Sequence, residues 1–140
     1  MTEQMLRQYT VLVEYLGATL GPDYEVVLHE ILPETSRVAA IANGTISGRS
    51  VGAPITNAAL RMIMQKQYET SDYNLNYTGQ LANGKTIRSS TMFIKDGGKL
   101  VGLLCINFDD SRFHEISDAV FGSCHSGDWS CLLYTSPSPR

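Results

Sequence analysis

YNLNYTGQLA (residues 73–82), KTIRSSTMFIK (85–95) and KLVGLLCINF (99–108) are three consecutive runs with the composition of β-strands. The turn sequences Asn83-Gly84 and Asp96-Gly97-Gly98 separate them. Because loops this short join antiparallel neighbours, the three runs predict an antiparallel meander. The other elements of the fold are placed around it.

Two earlier segments supply further strands. Tyr24 to Ile31 is rich in Val, Leu and Ile, and Leu32-Pro33 closes it. Arg37 to Ala42 is a second short run that ends at the turn dipeptide Asn43-Gly44. Together with the meander, these strands predict a five-stranded antiparallel sheet and an α+β fold.

Helices are predicted before, within and after this set of strands. Residues 3–20 carry apolar side chains at helical spacing and end at Gly21-Pro22, and a second helix begins at Thr56 or Asn57. The glycine-rich loop from Thr45 to Pro54 is expected to cover one face of the sheet with this second helix. Ser111 to Phe121 predicts an exit helix. The apolar stripe of the first helix comprises Met5, Leu6, Tyr9, Leu12, Val13, Leu16 and Leu20.

Composition narrows the class of protein. The 140 residues suffice for one domain with a core, and a net charge of −3 does not favour direct binding to nucleic acid. No apolar run is long enough to cross a bilayer and no signal peptide is recognisable. We therefore expect a cytoplasmic protein with no membrane partner.

The cysteines and the end of the chain give little support for a metal site. Cys105, Cys124 and Cys131 are expected to be reduced thiols, and Cys124-His125 with Cys131 lacks the paired CxxC spacing of zinc sites. Residues 122–140 lose periodicity, and their SCLLYTSPSPR ending resembles translated sequencing-adaptor sequence. We expect this tail to be non-native or disordered.

Four segments together resemble the YheO-like PAS family: LGPDYEVVLHEI (20–31), IANGTISGRSVGAPIT (41–56), LNYTGQLANGKTIRSSTMFIKD (75–96) and VGLLCINFD (101–109). This family forms the N-terminal half of bacterial transcriptional regulators that include the D-arginine catabolism repressor. The resemblance implies a PAS-like sensor domain over residues 1–121, in which the last strand of the meander (99–108) is central to the sheet. It also implies a following helix-turn-helix domain, which is missing from this sequence, and a small-molecule metabolite, amino acid-like, as the ligand.

A ligand in such a fold would lie between the sheet and its covering loop. The fork of donors on Arg49 matches a carboxylate, although Arg49 could instead be solvated or pair with a protein carboxylate. Turn formation is the competing interpretation for Asn43 and Ser47, and a hydrogen-bonded structural role is the competing one for His29. The candidate ligand-binding residues are Arg49, Asn43, Ser47, His29, Ser89, Thr91 and Asn107.

Catalysis is not predicted. The sequence has no GxSxG, HExxH, GxxxxGK[ST] or GxGxxG motif, so we expect no enzyme and no cofactor. Bound haem or flavin would colour the protein. Cys105 is expected to be inert packing, because no neighbouring positive charge lowers its pKa, and a redox switch there is a minor hypothesis.

Two functions remain open. The first is a sensor whose ligand shifts the population of two arrangements, with the exit helix passing the change to a DNA-binding domain. The second is a ligand-free dimerisation module that uses the stripe of residues 5–20 against a twin. A homodimer is expected in either case.

Overall fold

A five-stranded antiparallel sheet forms the centre of the fold. The computed structural model describes residues 1–122. The strands lie in the order β2-β1-β5-β4-β3, so β5 is central as expected, and the predicted α+β fold is confirmed. The strands are β1 (Tyr24–Glu30), β2 (Arg37–Ala42), β3 (Tyr73–Gln80), β4 (Thr86–Asp96) and β5 (Lys99–Phe108).

Helix α1 (Glu3–Leu20) packs on one face of this sheet. It begins at Thr2, whose Oγ1 accepts a hydrogen bond from the Met5 amide at 3.1 Å, and it ends at Gly21, whose φ of +91° is unfavourable for other residues. The predicted stripe lies against the sheet except Leu20, which is exposed at the end of the helix. The buried core of this face is Val13, Val26, Leu28, Ala40, Ile94 and Leu104.

The C-terminal half of α1 approaches β2 unusually closely at Gly17. A Cβ atom at residue 17 would collide with the Cβ of Ala42. Glycine is therefore required where the helix crosses the end of this strand, although a glycine within a helix costs about 1 kcal/mol of stability relative to alanine.

The opposite face is covered by the loop of residues 43–56 and by helix α2 (Asn57–Met64). Thr56 caps α2 by accepting from the Ala59 amide at 3.1 Å, as predicted. The end of the loop returns to β2, because the Val38 amide donates to the Ala53 carbonyl at 2.8 Å. A short 3-10 turn, Gln67–Glu69, follows α2. The buried core here is Val27, Val38, Ala59, Met62, Phe93, Leu100, Leu103 and Cys105.

Helix α3 (Ser111–Gly122) corresponds to the predicted exit helix and belongs to a separate compact unit that begins at Asp110. Within that unit, His114 Nε2 lies 3.1 Å from Asp110 Oδ2, one helical turn away. None of the helices within residues 1–122 is both long and apolar enough to cross a membrane. The predicted tail, with Cys124, His125 and Cys131, lies outside the described residues apart from Gly122.

Candidate functional site

A cavity of about 150 Å³ lies between the sheet and the loop of residues 43–56. The β3–β4 hairpin and the start of α2 complete its walls. Five of the predicted ligand-binding residues line it: His29, Ser47, Arg49, Ser89 and Asn107. The structure therefore brings together side chains that are up to 78 positions apart in the sequence.

The floor of the cavity is a row of polar side chains that crosses four strands. Asn107 of central β5 is paired in register with Glu25 of β1 on one side and with Ser89 of β4 on the other. Ser89 is paired in turn with Tyr77 of β3. Because paired residues point to the same face of a sheet, one register places all four side chains beneath the loop.

Glu25 is a fully buried carboxylate in this row. Its Oε2 accepts from the Ser47 amide at 3.1 Å and from Ser47 Oγ at 2.5 Å, and its Oε1 accepts from Asn107 Nδ2 at 2.9 Å. A buried carboxylate is costly unless such donors surround it. Glu25 therefore fastens the loop to the floor of the cavity.

Ser47 also holds the backbone of Arg49 in place. The Arg49 amide donates to Ser47 Oγ at 3.2 Å, so the backbone at Arg49 is held by the residue that Glu25 holds. Unlike the backbone amide of Arg49, two of its guanidinium nitrogens lack partners within residues 1–122. The Nε and Nη2 atoms are buried and have no hydrogen-bond acceptor there. Buried donors are nearly always paired in folded proteins, so this pair of N–H groups is suited to a ligand with two acceptor oxygens.

His29 lies near Arg49 on the β1 side of the cavity. It is 2% exposed, and its Nε2 has no hydrogen-bond partner among the described residues. Burial, aided by the positive charge of Arg49, lowers the pKa of His29 to about 4. The imidazole is therefore neutral at physiological pH and offers the cavity one nitrogen.

This pKa predicts that the protein loses stability in mild acid. The folded pKa of about 4 lies below the unfolded value of 6.5, so the unfolded chain takes up the proton first. The contribution is fully present above pH 6.5 and is lost as the pH falls toward 4. Because the unfolded chain binds the His29 proton more readily, we expect the free energy of unfolding to be about 2 kcal/mol lower at pH 5 than at pH 8.

Urea denaturation across this pH range measures the effect. His29→Leu should flatten the dependence between pH 6.5 and 4. Identical slopes for the His29 variant and the parent chain would contradict the assignment to this imidazole.

Thr91 lies on the same face but is not part of the cavity wall. Its Oγ1 is 2.7 Å from the Tyr77 hydroxyl and 3.3 Å from Cys105 Sγ. Burial raises the pKa of Cys105 to about 11 and that of Tyr77 to about 12, so both groups stay protonated at neutral pH. These contacts form a neutral hydrogen-bonded layer in which Tyr77 and Cys105 also line the cavity.

Asn43 also lies away from the cavity wall. Its Nδ2 is within hydrogen-bond distance of the carbonyl oxygens of Gly17, Gly21 and Tyr24, at 3.2, 2.9 and 2.7 Å. Its φ of +57° marks the turn into the loop. Asn43 thus ties the end of α1 to the beginning of the loop that carries Arg49.

Sequence reasoning did not single out Glu25. A signal was present, because Glu25, Val27 and His29 alternate along β1 and share the face that the loop covers. A charged residue at an inward position of a strand is a candidate site residue. Its partners, Ser47 and Asn107, could be identified only from the loop path and the strand register.

The sheet order and the cavity beneath a covering loop define a PAS-like α+β domain. The model of the YheO-like PAS domain family matches residues 1–122. The chain belongs to this family.

Relatives of the chain are known from several bacteria. The protein called uncharacterized protein YheO of Escherichia coli K12 is 33% identical over 114 residues, which are 80% of this chain and 48% of that protein. An uncharacterized protein of Haemophilus influenzae is 31% identical over 108 residues, 76% of this chain and 48% of that protein. The chain thus spans about half the length of the curated relatives it matches.

Two solved structures are similar at low sequence identity. An RNA-binding light-oxygen-voltage receptor is 10% identical with a TM-score of 0.47, covering 76% of this chain and 35% of that one. A light-oxygen-voltage domain studied with a flavin analogue is 16% identical with a TM-score of 0.45, covering 78% and 93%.

Proposed function

We propose that this domain senses a small anionic metabolite on behalf of a bacterial transcriptional regulator, and that it does so without catalysis. The observation that carries the proposal is the Arg49 guanidinium, whose buried Nε and Nη2 have no acceptor among residues 1–122 and belong to a residue that lines the cavity. A carboxylate is the simplest group that satisfies both donors in parallel. An amino acid or a related acid therefore fits as the class of ligand.

Several features support a sensing role for the cavity. The hydrogen bonds from Ser47 to Glu25 hold the covering loop on the sheet, and Ser47 also accepts from the Arg49 amide. A ligand at Arg49 would therefore bind next to the point where the loop is attached. A ligand shifts an equilibrium only if it binds two states unequally. We infer that the state in which the loop is closed on the sheet binds the ligand more tightly.

The route from the cavity to the rest of the regulator is short in sequence. Asn107 lies in the cavity wall on β5, and α3 begins only four residues later at Ser111. The curated relatives are about twice as long as the region they share with this chain, which leaves room for a DNA-binding domain. We infer that α3 transmits the change in the cavity to such a domain in a cytoplasmic regulator.

A homodimer is part of the proposal. Val11 and Tyr15 lie one helical turn apart on α1 and are 58% and 62% exposed, on the side that does not pack on the sheet. Such a pair can form the centre of a contact with a second copy. This surface would also serve the alternative function, a dimerisation module that binds no ligand.

Thermal unfolding of the full chain with a panel of amino acids and other small carboxylates tests the proposal. A compound that binds the native state at about 100 times its Kd should stabilise the protein by about 2.7 kcal/mol. Ala58→Phe, which places a large ring in the cavity wall, should abolish the stabilisation. Ala18→Phe on α1 is the matched control and should retain it.

The alternative predicts a different result. If no compound in a broad metabolite panel raises the unfolding temperature, while the protein dimerises with increasing concentration, the domain is a dimerisation module. Analytical ultracentrifugation supplies the second measurement.

A further inference from the structure

A second, open groove of about 570 Å³ adjoins the cavity. The two share Arg49 and the segment Gly79–Ala82 at the end of β3, together with Thr56 and Ala58 at the start of α2. The groove continues past these residues to Arg61. A ligand held at Arg49 therefore has a continuous path toward solvent beside α2.

The charge of this groove has one sign. Its lining residues include Arg49 and Arg61 and no acidic side chain. Arg61 has no carboxylate within 4.0 Å anywhere in the part of the chain that the structure describes. Glu25, the carboxylate of the adjoining cavity, already accepts three hydrogen bonds from Ser47 and Asn107. Both arginines thus line the groove without a carboxylate within 4.0 Å among residues 1–122.

The walls of the groove combine small or apolar residues with polar ones. The small or apolar ones include Ala58, Gly79, Leu81 and Ala82, and the polar ones are Thr56, Asn57, Thr78 and Gln80. A Cβ atom at residue 79 would come within 2.7 Å of Ser89 Oγ, so the glycine keeps this wall flat. The small residues leave room for a short, unbranched chain between the two arginines.

From these observations we propose that the ligand is a dicarboxylate, with one carboxylate bound by Arg49 in the cavity and the other by Arg61 at the mouth of the groove. The inference rests on the proposed sensing function, which requires only the carboxylate at Arg49. Arg61 adds a second anchor and selects for the length of the ligand. Monocarboxylates would bind through Arg49 alone.

Calorimetric titration of the full chain at about 0.15 M salt tests this inference. The probes are malonate, succinate, glutarate and adipate, with propanoate, butanoate, pentanoate and hexanoate as the matched monocarboxylates. At least one dicarboxylate should bind about tenfold more tightly than a monocarboxylate of equal chain length, because it gains a second charge-assisted contact. Arg61→Gln should remove this preference by lowering the affinity for the dicarboxylate to that for the monocarboxylate of equal chain length.

Arg7→Gln is the matched control, since Arg7 is exposed on α1 at the other face of the sheet. It makes the same change in net charge and should keep the dicarboxylate preference. A preference that survives in Arg61→Gln, or equal affinities for the two kinds of acid, would overturn the inference while the sensing function stands. Binding of a different metabolite, with no binding of any of these acids, would also overturn the inference and leave the sensing function standing. If no compound binds at all, both proposals fall.

Discussion

Replacing Arg49 with methionine should stabilise the unliganded protein and, at the same time, weaken carboxylate binding by about 100-fold. The buried Nε and Nη2 groups lack protein acceptors, so their desolvation is uncompensated in the free domain. Methionine fills similar space without polar atoms, and we expect the free energy of unfolding to rise by about 1 kcal/mol. The same substitution removes two charge-assisted hydrogen bonds to the ligand, worth about 3 kcal/mol or 100-fold in Kd.

Urea denaturation without ligand and calorimetric titration with a carboxylate measure the two effects separately. Arg37→Met is the control, because Arg37 pairs with Glu30 at 3.3 Å and does not line the cavity. It should leave binding unchanged. An Arg49 variant that binds normally, or that is less stable than the parent, would mean that the guanidinium has a structural partner instead of a ligand.

Replacing Glu25 with alanine should lower the free energy of unfolding by about 3 kcal/mol, because it leaves partly buried donors of Ser47 and Asn107 without their acceptor. The loop should also loosen, since Ser47 holds the backbone of Arg49. We therefore expect trypsin to cleave after Arg49 faster in the native variant than in the parent chain. Limited proteolysis with mass spectrometry identifies this cleavage.

Glu30→Ala is the matched control for this prediction. Glu30 is also a buried glutamate of β1, but its partners are Arg37 and the amino group of Met1 instead of the loop. Its loss should destabilise the domain without selectively exposing Arg49. Equal cleavage after Arg49 in both variants would show that lower global stability, and not release of the loop, accounts for the effect.

Much of the sheet could be predicted because its local signals agree with its tertiary structure. The turns at Asn83-Gly84 and Asp96-Gly97-Gly98 set the boundaries of β3, β4 and β5, and these strands keep the predicted antiparallel order. The helix stripe on α1 predicted the face that packs on the sheet. The 3-10 turn after α2 had no comparable signal, since the positive φ of Lys66 that precedes it is not a propensity of lysine.

The candidate site was harder to predict from the sequence than the sheet. Arg49, Ser47 and His29 could be proposed from side-chain chemistry, and the structure does place them around one cavity. The contribution of Glu25 depends on residues 22 and 82 positions away, which only the loop path and strand register bring together. Arg61 was missed for a similar reason, because its proximity to the groove depends on how α2 lies over the sheet.

The two Asn-Gly dipeptides differ in their tolerance of inserted residues. Asn83-Gly84 is the exposed tip of a hairpin, where the side chain of Asn83 accepts from the nearby Lys85 amide. Asn43 instead donates to the carbonyl oxygens of Gly17 within α1 and of Gly21 just after it. Gly44 lies close to the Arg49 carbonyl. A tag or reporter peptide is thus compatible with the hairpin tip, whereas the same graft at residue 43 would separate the helix from the strands beneath it.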